Sequence, residues 1–198
     1  MIETPDNLRA LYDPPGERAL RKQLTALDRH CEHFLSLSPF VVIASVDAQG
    51  RLDASPRGGP PGFAHVADAH TLLLPDASGN NRLDTLTNVT TTRRVGLLFL
   101  IPGVDESLRI NGTALVSSAP ALLQPFAATA RPPKVVLAVT VEEAYLHCAK
   151  ALMRARLWDH GSQVERTRLA TLGQMLSDQT GCALESQEAM LARYAREL

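Results

Sequence analysis

The chain is short of aromatic residues, which make up 5% of its 198 positions, and of cysteine, of which there are three. Cys31, Cys148 and Cys182 are odd in number, far apart, and in neither CxxC nor zinc-finger spacing. A disulfide framework is therefore not expected, and the thiols are read as reduced. An excess of one charge is also missing: 20 basic side chains face 21 acidic ones, for a formal net charge of −1. No overall field draws such a chain to nucleic acid or to a membrane surface, so any anion site has to be local. No apolar run approaches the ~20 residues of a membrane span, and residues 1–23, charged and proline-interrupted, hold no apolar signal-peptide core. The expectation is a soluble, cytoplasmic protein with neither nucleic acid nor membrane as partner. Also absent are GxxxxGK[ST], a GxGxxG after a strand, GxSxG and HExxH, which removes the commonest nucleotide, hydrolase and metalloprotease signatures.

What is present is a balanced globular composition, 45% hydrophobic and 21% charged, enough for one core. Neither repeats nor a linker divide the chain, so residues 1–198 are read as one domain, with 160–198 a helical C-terminal extension. Between 17 and 37, Leu20, Leu24, Leu27, Cys31 and Phe34 recur at steps of three and four and predict one amphipathic helix, ended by Ser38-Pro39. From Phe40 the period changes. Short apolar runs at 40–46, 63–66, 71–74, 95–101, 108–116 and 134–146, together with an alternating segment after Gly50, are separated by turn residues and read as six or seven antiparallel strands. Proline at 120 fits the first turn of a short helix. Val164, Leu169, Leu172 and Met175 predict a helix ending at Thr180-Gly181, and Met190, Leu191, Tyr194 and Leu198 another. The pattern implies a small Greek-key barrel or sandwich with flanking helices. Runs such as FVVIASV and VGLLFLI need cover on both faces, and a second copy of the chain would supply what the helices do not.

Four stretches carry candidate chemistry. In SGNNRLDTLTN, Leu83, Leu86 and Val89 recur at three-residue steps and predict a short helix starting near Asn81, entered through Gly79. Its first turn would offer unpaired N–H groups to an anion, with Asn81 and Arg82 adding donors. The same letters also fit a helix merely capped by Ser78 or Asn80, with Arg82 solvated. In DASPRGGPPGF, Ser55 and Arg57 end a strand at a Gly/Pro-rich rim, where a guanidinium suits phosphate, or where it is only a loop's solvated neighbour. Arg109, in SLRINGTA, lies opposite Leu108 and Ile110. In YLHCAKALMRARLWD, His147, Lys150, Arg154 and Trp158 crowd together, as an anion and ring site or as a solvated patch around one indole. The pairs His30/His33 and His65/His70 lack carboxylate partners in sequence and are not read as metal ligands. His147 and Cys148, adjacent on a strand, would face opposite ways, so no thiol mechanism is expected.

Taken in order, the helix, FVVIASVDAQGRLDASPRG, TLLLPDASGNNRLDTLTN, RRVGLLFLIPG, SLRINGTALV and HCAKALMRARLW resemble the pyridoxamine 5′-phosphate oxidase-like split-barrel flavoproteins, in the branch of probable FMN-dependent enzymes, over residues 19–159. The resemblance implies an α+β, mainly β, six-stranded antiparallel Greek-key split barrel that dimerises around FMN. Ser55, Arg57, Asn80, Asn81 and Arg82 would then hold the phosphate. Arg109 would approach from the other protomer, and His147, Lys150, Arg154 and Trp158 would lie near the cofactor. It further implies an oxidoreductase passing hydride at flavin N5, with NADH, NADPH or an organic molecule as redox substrate; a flavin carrier without turnover, or use of the groove for haem or a deazaflavin, are the alternatives. No catalytic residue and no metal are implied. The chain ends in LARYAREL, without the Arg-x-His element of the vitamin B6 oxidases, so a B6 substrate is not expected.

Overall fold

A computed structural model describes residues 1–77 and 79–197. Ser78, one of the two candidate caps, and Leu198 lie outside the described residues. In chain order the elements are α1 (Pro5–Arg9), α2 (Glu17–Arg21), α3 (Arg29–Leu37), β1 (Phe40–Val46), β2 (Leu52–Gly58), β3 (His65–Asp68), β4 (Thr71–Pro75) and α4 (Asp84–Thr92). There follow β5 (Arg94–Ile101), β6 (Val104–Ser117), α5 (Pro120–Leu123), β7 (Val136–His147), α6 (Lys150–Ala155), α7 (Leu172–Thr180) and α8 (Gln187–Glu197).

All strand pairs are antiparallel, in one sheet of order β2-β1-β5-β6-β7-β4-β3. The sheet thus has seven strands rather than six, and β2 and β3 stand at its two ends without pairing to each other. One core joins Val41 and Ile43 of β1, Leu72 and Leu74 of β4, Leu97 and Phe99 of β5, Leu108 and Ile110 of β6 and Val139 of β7, with Leu35 of α3 and Val89 of α4. For near-end strands β1 and β4 to share that core, the sheet must curve around it, as an incompletely closed barrel does. On the other face of β4, Leu73 packs with Phe126 and Val136 in a smaller cluster beside α5. Where β6 meets β7 the register slips at Asn111/Gly112. There a Cβ on Gly112 would run into the Thr140 carbonyl oxygen, so the close approach requires glycine.

The single helix expected over 17–37 is two. Leu24 exchanges backbone hydrogen bonds with Ala144 (2.9 and 2.8 Å), which pulls the chain out of helical geometry, and the Leu27 amide donates to the Ala69 carbonyl at 2.7 Å. Asp28 then restarts the helix, its carboxylate accepting from the amides of His30 and Cys31 at 3.0 and 2.9 Å. The apolar periodicity was a burial signal for part of the stretch: Leu27, Cys31 and Phe34 enter the core and Leu24 packs against it, while Leu20 on α2 is exposed. At the C-terminal end, α7 starts only at Leu172, capped by Thr171, and Val164 and Leu169 stay exposed outside it. Gly181 ends α7 at φ +71°, as expected of a left-handed cap.

Candidate functional site

The helix after residue 80 begins later than the sequence suggests. Asn81 (φ +58°) and Leu83 (φ +60°) take left-handed conformations that break helical hydrogen bonding, so α4 opens at Asp84, and Leu83 stays exposed while Leu86 and Val89 are buried. Asn80, Asn81 and Arg82 therefore occupy a loop instead of a first helical turn. Within it the Arg82 amide donates to Asn80 Oδ1 at 3.0 Å.

This loop and the end of β2 form opposite parts of a groove of ≈ 760 Å³, lined by Ser55 and Arg57 from β2, by Asp76, and by Asn80, Asn81 and Arg82. All five residues placed at the two phosphate corners thus come together. Their pairings add what sequence could not. Ser55 Oγ donates to Asp53 Oδ1 (2.9 Å) and Thr85 Oγ1 to Asp53 Oδ2 (2.7 Å). Ser45 Oγ reaches the same carboxylate at 3.2 Å and accepts from Asn88 Nδ2 at 3.0 Å. Asp53 thereby ties β2 to α4, and the one hydroxyl proton of Ser55 points at it, so Ser55 presents lone pairs to the groove. Arg82 spends Nε on Asp84 Oδ2 at 2.8 Å, leaving its terminal nitrogens free for an anion. Arg57 acts on Asp76, whose carboxyl is pushed above its usual value by burial, with the guanidinium pulling it back.

The groove also holds residues that the sequence reading passed over, Arg131 and Lys134, on the Arg131-Pro132-Pro133-Lys134 segment facing it. In sequence Lys134 reads only as the start of the 134–146 strand, because nothing local reveals which cavity it and Arg131 border.

The remaining candidates lie elsewhere. Arg109 and Tyr145 are register partners on the face of the sheet opposite the core. The Arg109 guanidinium stands 5.7 Å and Lys22 Nζ 5.1 Å from the Tyr145 ring centre, with the His147 ring 5.0 Å from the same ring. Burial, then the charges of Lys22 and Arg109, hold the His147 imidazole below its ordinary value and therefore neutral near pH 7. Lys150 and Arg154 are exposed on α6, and Trp158 Nε1 donates to the Val104 carbonyl at 2.9 Å, anchoring the segment after α6 to the start of β6. Neither Arg109 and His147 nor Lys150, Arg154 and Trp158 line the groove of this protomer.

No group of three or more His, Cys, Asp or Glu arranged for a metal occurs among the described residues, and no helix among them is long and apolar enough to cross a membrane. Cys31 is buried, its thiol pushed up to about 11 chiefly by desolvation, and is unsuited to nucleophilic work.

A curved antiparallel sheet with helices on its flanks and a cationic groove at its rim defines a split-barrel protein of the α+β class. The pyridoxamine 5′-phosphate oxidase family pattern matches residues 27–148, more than half of the chain, which belongs to that family. Among solved structures, the chain is similar to HupZ from Group A Streptococcus, with 17% identity over 60% of this chain and 91% of that one, at a TM-score of 0.50. It is also similar to a putative pyridoxamine 5′-phosphate oxidase from Lactobacillus delbrueckii, with 22% identity over 63% and 98% and a TM-score of 0.49. A third likeness is to an FMN-binding protein from Syntrophomonas wolfei, with 11% identity over 61% and 88% and a TM-score of 0.46. At these identities the likeness speaks for the fold alone. None of the curated proteins matches.

Proposed function

We propose that the protein is an FMN-dependent oxidoreductase that works as a homodimer, with the FMN phosphate in the groove between β2 and the loop that leads into α4. The observation that carries this reading is the convergence of Arg57, Asn80, Asn81 and Arg82, from two segments distant in sequence, on one groove of a member of this family, which Ser55 lines as an acceptor. The donors present suit a phosphate monoester: guanidinium nitrogens on both sides, and amide side chains on the loop between them. When bound, the flavin supplies hydride chemistry that protein side chains lack. The chain's own part is to bind and orient it and to shape its surroundings.

The outward face of the sheet supports the homodimer. Val42, Ala44, Leu98 and Leu100 of β1 and β5, with Ala54 and Pro56 of β2, form an apolar band bordered by Arg109, Asn111 and Tyr145 in the same register rows. Leu52, at the end of that band, is 84% exposed and Leu98 36%. Contiguous exposed apolar surface of this kind marks an association site. A two-fold contact through it would bring Arg109 toward the partner's groove, the role expected from the family resemblance.

The test is the absorption spectrum of the protein as isolated, followed by acid release and identification of the chromophore. Flavin bands and released FMN, with reduction by NADH or NADPH faster than that of free flavin, are the expected result. Bound flavin without accelerated reduction would make the protein a carrier, and a Soret band would replace FMN with haem.

A further inference from the structure

The cations of the groove are not equally available. Four line it, Arg57, Arg82, Arg131 and Lys134, together with two carboxylates, Asp76 and Asp84. Arg82 is ion-paired with Asp84 at 2.8 Å. Arg57 is coupled to Asp76 and gives Nη1 to the Pro56 carbonyl at 2.9 Å. Across the groove the situation differs. Arg131 donates to a neutral acceptor, the backbone carbonyl of Arg196, and Lys134 makes no ion pair among the described residues. The acids thus offset the corner cations, and the uncompensated charge sits on the 131–134 wall.

The sequence of that wall suits the task. Proline fixes φ, and a residue before proline is held extended, so Arg131-Pro132-Pro133-Lys134 favours polyproline geometry with three residues per turn. Residues three apart then emerge on one side, and both cations do line the same groove. Two prolines also remove two amide donors, so recognition here is by side-chain charge and not by a backbone nest.

We infer that Arg131 and Lys134 form the wall against which this groove binds the dianionic phosphate monoester of its ligand, and that Arg82, already neutralised by Asp84, contributes less. Naming the ligand as FMN rests on the function proposed above; the charge distribution does not.

The experiment compares apoprotein affinities for FMN and riboflavin, which differ only in the phosphate, by quenching of flavin fluorescence. In Arg131→Ala/Lys134→Ala the preference for FMN over riboflavin should fall at least about tenfold, since one charged hydrogen bond is worth that much, while riboflavin affinity stays near wild type. Arg82→Ala should lower the preference less. The wild-type preference should weaken with added salt more steeply than that of the double variant. Because Arg131 also holds the end of α8, Lys134→Gln serves as a milder variant with a smaller loss in the same direction. An unchanged preference in the double variant, or a greater loss in Arg82→Ala, overturns the inference. If the wild type binds neither flavin, the flavin reading has failed, and inorganic pyrophosphate tests the wall alone. A rise in wild-type melting temperature that Lys134→Gln reduces supports the wall, and no rise in either overturns it.

Discussion

Asp76 shows how far one side chain can set the terms of a site. Its carboxyl lies in the groove with its folded-state pKa raised, because burial outweighs the attraction of Arg57. A carboxyl held above its unfolded value binds a proton more tightly in the folded state. Its contribution to stability is therefore present at low pH and is lost as pH rises through the usual carboxylate range and up to the raised value. At pH 7 the ionised group is a standing cost. Asp76→Asn should raise the melting temperature near pH 7 and leave it almost unchanged near pH 3, about one unit below the reference carboxylate value. Parallel thermal melts at the two pH values check this, and a lower melting temperature at pH 7 would mean that the pairing with Arg57 outweighs the burial. Asp76 was not legible as a site residue: in PDASGNN it is one more acid in a turn, and only the fold shows that Arg57, far off in sequence, faces it.

Among the elements, strands were legible, as was the Pro120 start of α5, whereas the starts of α3, α4 and α7 were not, for a physical reason. A strand's period of two survives because each alternate side chain meets the same core, as Leu108, Ile110 and Ala114 do along β6. A helix start depends on who claims the first amides. From Leu24 to Phe34 the apolar spacing did mark buried positions, yet Leu24 gives its backbone to Ala144 and Asp28 caps a new helix. Around 80, left-handed Asn81 and Leu83, neither of them glycine, delay α4 to Asp84. Gly112, which the β6–β7 contact requires, gave no signal beyond its letter. At the β6–β7 bulge a methyl group there collides with the Thr140 carbonyl, and backbone cannot step aside as a side chain can. Gly112→Ala should destabilise the fold by about 1–3 kcal/mol, the usual range for overpacking, read as a lower urea midpoint. An unaltered midpoint would show that the bulge relaxes freely.

At the scale of the whole molecule, the sequence revealed the family and five residues of one groove because each of those residues sits in a short string with its own chemistry. The opposing wall, Arg131 and Lys134, was hidden because groove walls are tertiary facts. The proposed homodimer stands between the two, argued first from apolar runs too continuous for one covered face, and again from the outward rows Pro56–Val42–Leu98–Arg109–Tyr145 and Ala54–Ala44–Gly96–Asn111–Glu143. Leu98 is central to this face and points away from the core that Leu97 and Phe99 fill, so its replacement leaves the inner packing intact. A stable dimer buries about 1,600 Å² in all, and an ammonium at the middle of such a surface, opposite the like charge of Arg109, would be desolvated without a partner, a cost of several kcal/mol. Leu98→Lys should therefore sediment as a monomer with a wild-type circular dichroism spectrum. It should also bind flavin more weakly than the wild type, because Arg109 would no longer arrive from the partner. A monomer that keeps full flavin affinity would place the whole site within one chain, and a persisting dimer would move the interface off this face altogether.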